Sequence, residues 1–183
     1  MIKIKTDSRK IVPGDTFVAL PGISSDGHDY IDLAIKNGAT KIVAEHGNYS
    51  VETVIVPDTR TYLNQLLEQE YGYIIDEMKI VGITGTNGKT TSCYLTYQIL
   101  NNLGIKCAYI GTIGFYLKDK VRSLPNTSVD IADLYELLVE AYENGYKYVC
   151  LEVSSQGLSM NRFQTIKFDV AVFTNLTQDH LDY

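Results

Sequence analysis

Apolar and polar residues alternate in short blocks over the first seventy positions, and turn-forming residues separate the blocks. The apolar blocks at 16–20, 41–45 and 53–56 have the length of strands. Apolar residues at helical spacing in the segment 30–37, followed by Gly38, predict a short helix that ends at that glycine. Mixed three- and four-residue spacing predicts a second helix over 60–70, ahead of the Tyr/Gly-rich residues 71–73.

The same alternation starts again after residue 78. The predicted strands are 79–84, 107–111, 148–153 and 169–174, with a hairpin over 115–121. The predicted helices are 90–103, ending at Gly104, and 131–144, ending at Gly145. Strands that alternate with helices favour βαβ units and a mostly parallel sheet, so an α/β fold in two parts is predicted, with the boundary near residues 75–79.

Composition and charge narrow the classes of function. With 16 Lys+Arg against 22 Asp+Glu, the net charge of the 183 residues is −6, which disfavours a nucleic-acid partner. No apolar run has the length of a membrane span and residues 1–5 do not resemble a signal peptide, so no membrane partner and a cytoplasmic location are predicted. The three cysteines lack metal-ligand spacing and are predicted to be buried free thiols.

The strongest chemical signal is a glycine-rich segment between a predicted strand and a predicted helix, Gly82-Ile83-Thr84-Gly85-Thr86-Asn87-Gly88-Lys89-Thr90-Thr91. Glycines allow successive backbone N–H groups to face one anion, and the helix N-terminus adds partial positive charge. Lys89 is then placed to reach the β- and γ-phosphates and Thr90 to place its hydroxyl on Mg²⁺. Ile83 stands where the usual pattern has glycine, so the motif is a variant.

Polar residues follow two predicted strands, at the sheet edge where ligands bind in open α/β folds. Glu152 follows the first and faces the phosphate loop if the two strands are neighbours, where it could hold a metal ion. Asp179 and His180 follow the second. From spacing alone, a solvated side chain is the favoured interpretation for His180, and a metal ligand or acid/base group is the alternative.

Taken together, these segments resemble the Mur ligases, which build the peptide stem of bacterial peptidoglycan. The phosphate loop has the family's variant glycine spacing. Further similarity lies in the segments 6–10, 13–20, 26–31, 111–114, 152–155 and 174–183. The last three of these favour the members that add the third residue of the stem peptide.

The resemblance implies a small N-terminal α/β domain at 1–77 that binds the UDP-sugar, and a truncated P-loop central domain at 78–183 with a mostly parallel sheet. It implies a ligase that uses ATP and Mg²⁺ to join a diamino acid, lysine or diaminopimelate, to UDP-MurNAc-L-Ala-D-Glu through an acyl phosphate.

Site residues carried over from the family fall into three groups. Those implied to bind the nucleotide are Gly85, Thr86, Asn87, Gly88, Lys89, Thr90 and Thr91. Those implied to hold magnesium are Thr90, Glu152 and His180, and Lys89, Glu152 and His180 are the implied catalytic set. Those implied to contact the UDP-sugar are Ser8, Ser24, Ser25, Asn126, Thr127, Ser128, Ser154 and Arg162.

The chain also departs from the family pattern. Gln156 stands in place of a usual histidine, Met160 in place of a frequent polar residue, and Thr127-Ser128-Val129 lacks a common proline. The rest of the central domain and a C-terminal ligase domain are expected to be missing, so the chain is expected to be an inactive fragment for which the missing part is a partner. The alternatives are a non-catalytic nucleotide- or UDP-sugar-binding module and a free-standing P-loop ATPase or kinase.

Overall fold

The computed structural model describes residues 2–22 and 25–177. Two compact units divide the chain, Met1–Glu70 and Tyr71–Tyr183. Each has its own sheet, as the two-part α/β prediction requires. No helix within the described residues is long and apolar enough to cross a lipid bilayer.

The first unit is a four-stranded parallel sheet with strand order β1-β2-β3-β4. Its elements along the chain are β1 (Ile4–Lys5), β2 (Thr16–Val18), α1 (Ile31–Lys36), β3 (Lys41–Ala44), β4 (Glu52–Ile55) and α2 (Thr59–Glu77), which continues into the second unit. Short 3-10 helices occupy Ser8–Lys10 and Gly27–Tyr30. Apolar side chains of β2, α1 and β3, among them Phe17, Ala34 and Ile42, form the core of this unit.

The second unit is a six-stranded sheet with strand order β10-β5-β9-β6-β7-β8. Its strands are β5 (Lys79–Thr84), β6 (Cys107–Gly111), β7 (Gly114–Tyr116), β8 (Lys120–Arg122), β9 (Tyr148–Glu152) and β10 (Val170–Phe173). Its helices are α3 (Lys89–Asn102), α4 (Ile131–Glu143) and α5 (Ser155–Ser159). The first four strands in this order are parallel, and β7 and β8 add the predicted antiparallel hairpin.

The central strands of this sheet are covered on both faces, which is why β6 is buried at all five positions. Helix α4 buries eight of its residues, including Leu134 and Leu138. Cys93, Cys107 and Cys150 are free and buried, as predicted, and all three belong to one cluster with Tyr97 and Tyr109. Hydrogen bonding to Cys150 and burial together raise the pKa of the Cys93 and Cys107 thiols well above the usual range.

Three elements differ from the prediction. Helix α2 does not end near Glu70 but continues through Gly72 to Glu77. The additional turns bury Ile74 and Ile75, and this burial outweighs the low helix propensity of one glycine. Strand β1 and helix α5, of two and five residues, were not predicted because neither is long enough to show a period.

Candidate functional site: a phosphate loop beside a buried carboxylate

The glycine-rich segment forms a loop between β5 and α3. Gly85 and Gly88 adopt φ angles of +133° and +84°, in the left-handed region that favours glycine. A Cβ atom on Gly85 would overlap the Thr174 hydroxyl, so no side chain fits there. Gly88 precedes the first residue of α3, Lys89, which places the helix N-terminus at the end of the loop, as predicted.

The Lys89 side chain folds back onto the loop. Its Nζ atom donates hydrogen bonds to the carbonyl oxygens of Gly85, at 2.7 Å, and Thr86, at 3.0 Å. The ammonium group is therefore held inside the curve of the loop, where it can neutralise an anion bound at the N-terminus of α3.

Glu152 lies at the end of β9, directly beside the phosphate loop. Strands β5 and β9 are parallel neighbours, and Glu152 pairs with Ile83. This is the strand arrangement under which the sequence predicts that Glu152 faces the phosphate loop. The residue is completely buried. Its Oε2 atom accepts hydrogen bonds from the hydroxyls of Thr90, at 2.8 Å, and Thr112, at 2.9 Å.

The other carboxylate oxygen of Glu152 is held by two different donors. Oε1 accepts from the Thr112 backbone N–H at 3.1 Å and from the Tyr109 hydroxyl. Burial and the bond to Glu152 raise the pKa of the Tyr109 phenol, so Tyr109 remains a proton donor throughout the physiological pH range. Gly111 makes room for this arrangement, because a Cβ atom there would overlap both the Glu152 carboxylate and the Tyr109 hydroxyl.

One cavity of about 670 Å³ joins the phosphate loop to most of the predicted substrate residues. Gly85, Thr86 and Lys89 line it on the loop side. The predicted residues that line it elsewhere are Asn126, Thr127, Ser128, Ser154 and Arg162. The two positions that depart from the family pattern, Gln156 and Met160, line it as well.

Several of these cavity residues also have structural partners. The Ser154 hydroxyl accepts from the Gly157 N–H at 3.0 Å and so caps α5. The Ser128 hydroxyl accepts from the Ser154 N–H at 3.0 Å, and Arg162 donates to the Ser128 carbonyl. These contacts fix the shape of the cavity wall whether or not the same side chains touch a ligand.

The remaining predicted residues are placed as follows. Ser8 is buried in the first 3-10 helix, and Ser25 is exposed. Asn87 and Thr91 are exposed at the loop and in the first turn of α3. Ser24 and His180 lie outside the described residues, so their predicted roles stay predictions.

Two groups of residues at the site were not predicted individually. Tyr109 and Thr112 hold Glu152, and Thr174, Asn175 and Thr177 contact the phosphate loop. Thr112 and the segment after β10 belong to motifs that were recognised, but the pattern gave no role to each residue. Tyr109 has no sequence signal, because an apolar β6 predicts only a core position.

The donor set suits a magnesium ion. Mg²⁺ prefers oxygen ligands and retains several waters, and the Thr90 hydroxyl, the Thr112 hydroxyl and Glu152 Oε2 meet within hydrogen-bonding distance of one another. All three are oxygen groups of the kind that Mg²⁺ binds. A mostly parallel α/β sheet with this loop and carboxylate at its carboxyl edge defines the class of P-loop nucleotide-binding proteins.

Comparisons with known proteins narrow this class to a family. Residues 83–183 match the Mur ligase middle domain, and residues 3–71 match the model described as Mur ligase family, catalytic domain. The chain therefore belongs to the Mur ligase family, as the sequence motifs predicted.

Individual relatives resemble the whole chain but are much longer. This chain is 38% identical to the UDP-N-acetylmuramoyl-L-alanyl-D-glutamate--2,6-diaminopimelate ligase of Geobacillus thermodenitrificans, and the match covers 100% of this chain and 38% of that protein. Identity to the enzyme of the same name from Geobacter sulfurreducens is 41%, over 97% of this chain and 35% of that protein. The chain thus spans little more than a third of these curated relatives.

Two solved structures also match nearly the whole chain and are much longer than it. A structure of a UDP-N-acetylmuramoyl-L-alanyl-D-glutamate--2,6-diaminopimelate ligase superposes with a TM-score of 0.77 at 29% identity, covering 97% of this chain and 37% of that one. The MurF ligase from Thermotoga maritima in complex with ADP superposes with a TM-score of 0.66 at 26% identity, covering 94% of this chain and 37% of that one.

Proposed function

We propose that this chain provides two parts of a ligase that adds diaminopimelate to UDP-MurNAc-L-Ala-D-Glu in the cytoplasm. These parts are the unit that binds the UDP-sugar and part of the domain that binds ATP. The observation that carries the proposal is the meeting of Lys89, Thr90 and Glu152 at the phosphate loop, in a chain whose relatives are named for this reaction. Lysine in place of diaminopimelate is the alternative amino acid.

The chemistry asks the protein mainly for positioning and neutralisation of charge. The substrate carboxylate attacks the γ-phosphorus of ATP, ADP leaves, and the amino group then displaces phosphate from the acyl phosphate to form the amide. Such transfers depend on aligned reactants and on cationic groups and N–H donors around the phosphates. Bound Mg²⁺ would supply positive charge that offsets the negative charge of the phosphates.

The residues of the loop have distinct parts in this proposal. Lys89 would exchange its bonds to the Gly85 and Thr86 carbonyls for phosphate oxygens, while Thr90 and Glu152 Oε2 would hold the magnesium ion. The cavity wall formed by Asn126, Thr127, Ser128, Ser154 and Arg162 would hold the diphosphate and muramoyl groups. Ser8, Ser24 and Ser25 are proposed for the uridine end.

We further propose that His180 contributes to the magnesium site, on the family resemblance alone. The domain boundary is proposed near residue 77, and the ligase is proposed to be completed by further domains supplied within the longer protein. This chain alone would bind substrates without turnover.

The proposal is tested by titrating Mg·ATP and UDP-MurNAc-L-Ala-D-Glu separately into the chain in a calorimeter. Lys89→Ala should weaken Mg·ATP binding at least tenfold, because it removes the cation held inside the loop. It should leave the affinity for the UDP-sugar within about twofold. Lys118→Ala removes an exposed lysine of the turn between β7 and β8 and serves as the matched control.

The outcomes separate the candidate functions. Binding of both ligands supports the ligase. Binding of Mg·ATP without the UDP-sugar would favour a P-loop ATPase or kinase, and the reverse would favour a sugar-binding module. Equal loss of Mg·ATP binding in the Lys89 and Lys118 variants would contradict the assignment of Lys89.

A further inference from the structure

The phosphate loop is held from one side by the residues that follow β10. We call residues 174–177 the strap. The Thr86 N–H donates to the Asn175 carbonyl at 2.9 Å, and the Asn87 N–H donates to Asn175 Oδ1 at 3.1 Å. In return Asn175 Nδ2 donates to the Asn87 carbonyl at 3.0 Å.

Two threonines of the strap reinforce these bonds. The Thr174 hydroxyl donates to the Asn87 carbonyl at 2.7 Å. The Thr86 hydroxyl donates to the Thr177 carbonyl at 3.1 Å and accepts from the Thr177 N–H at 2.9 Å. The strap therefore binds both the backbone and a side chain of the loop.

These bonds determine the orientation of three successive peptide units. In a trans peptide the C=O and N–H groups point in opposite directions, and the described residues contain no cis bond. Because the Thr86 and Asn87 N–H groups point to Asn175, the Gly85 and Thr86 carbonyls face the other way. That is the side on which both accept from Lys89 Nζ.

The third peptide unit joins Asn87 to Gly88. Its carbonyl is bound by Thr174 and Asn175, so the Gly88 N–H points away from the strap. Gly88 immediately precedes α3, where an N–H directed into the curve of the loop adds to those of the helix N-terminus. The strap thus occupies the Thr86 and Asn87 N–H groups and leaves the Gly88 N–H directed away from itself, at the start of α3.

We propose that Asn175 is a positioning residue that holds the phosphate loop in its nucleotide-receiving shape before any nucleotide binds. It is the one strap residue whose side chain pairs with both the N–H and the C=O of a loop residue among residues 2–22 and 25–177. The inference rests on the proposed ATP site, because a loop positioned for phosphate has a function only if phosphate binds.

The test compares Asn175→Ala with the unaltered chain in two measurements. The first is amide hydrogen exchange of the ligand-free chain by NMR. The Asn87 amide should exchange at least fivefold faster in the variant, and the Thr86 amide should change less because its acceptor is the Asn175 backbone. The second is calorimetry, where Mg·ATP should bind about fivefold to tenfold more weakly, as expected for lost preorganisation.

Two further variants separate the loss of this hydrogen bond from a general loosening of β10 and the strap. Asn175→Asp retains an acceptor for the Asn87 N–H, so the exchange of that amide should remain slow. Val170→Ala truncates a half-exposed side chain at the start of β10 and should change neither measurement.

The results separate the positioning role of Asn175 from the proposed function. Unchanged Asn87 exchange in Asn175→Ala overturns the positioning role. Faster exchange with unchanged Mg·ATP affinity also overturns it, because the loop shape would not matter for the ligand. If the unaltered chain binds no Mg·ATP while Asn175→Ala accelerates exchange, the strap holds the loop but the proposed function fails.

Discussion

Glu152 combines complete burial with a full set of hydrogen bonds. A buried carboxylate is unfavourable unless donors satisfy it, and Tyr109, Thr90 and Thr112 supply them. The two carboxylate oxygens have different donors and different surroundings. Oε1 is held by Tyr109 and a backbone N–H in the interior, and Oε2 faces the hydroxyls at the phosphate loop. Only Oε2 is therefore placed to bind a cation.

Tyr109→Phe should destabilise the chain by about 1–3 kcal/mol, because it leaves part of a buried carboxylate without its donor. The free energy of unfolding in urea measures this, with Tyr73→Phe as the matched control, since the Tyr73 side chain is 63% exposed. Mg·ATP affinity should fall in the same variant as Glu152 loses its anchor. A variant as stable as the Tyr73 control would show that Tyr109 does not hold the carboxylate.

Helices α3 and α4 show how burial differs between elements of one unit. Leu138 in α4 has no exposed surface, whereas Leu95 in α3 is 51% exposed. Leu138→Ala should therefore cost about 2–5 kcal/mol of stability through lost burial and a cavity, and Leu95→Ala less than about 1 kcal/mol. Urea unfolding of the two variants measures the difference. Equal losses would mean that the burial of Leu138 contributes no more to stability than the half-exposed Leu95 does.

The sequence pattern predicted most strands and helices, including the three-residue strands β7 and β8 of the hairpin, but it missed β1 and α5 and placed the end of α2 too early. Strands β3, β5, β6 and β9 were predicted because buried parallel strands are continuous apolar runs. β1 and α5 have too few residues to show a period, and α2 continues past Gly72 because tertiary burial overrides local propensity.

The same distinction applies to the candidate site. The phosphate loop is contiguous, so its glycines and Lys89 were recognisable as a motif. Glu152 could be placed because a parallel neighbour of β5 must end at the same edge. The residues of the strap that bind the loop lie about ninety residues further along the chain, after another strand. The sequence of the loop segment alone therefore could not indicate them.

At the scale of the whole chain, hydrogen-bonded carboxylates link stability to pH in both units. Among residues 2–22 and 25–177, five carboxyl groups have a pKa below the ordinary value, and the first cause in each is a hydrogen bond. The acceptors and their donors are Asp7 with Arg9, Asp26 with the His28 N–H, Asp58 with the Thr61 N–H, Glu77 with Lys147, and Asp169 with Lys79.

The sign follows from the direction of these shifts. A carboxyl group whose pKa is lower in the folded state stabilises that state above its unfolded pKa, and the contribution is lost as the pH falls through the folded pKa. The ordinary values are 3.8 for Asp and 4.5 for Glu. Stability should therefore be nearly constant from pH 7 to about pH 5 and decrease below about pH 4.

Asp169 allows this expectation to be tested in one unit. It joins the start of β10 to β5, accepting from Lys79 Nζ at 2.7 Å and from the Ile80 N–H at 2.9 Å. Asp169→Asn removes the charge and keeps the shape, so the variant should be less stable than the unaltered chain at pH 7, and the difference should shrink as the pH falls below the ordinary pKa of Asp. Urea unfolding at pH 7, 5 and 3 measures this, with Asp119→Asn, in the turn before β8, as the control. A difference that persists unchanged at pH 3 would mean that packing at the start of β10, and not the carboxylate charge, makes the contribution.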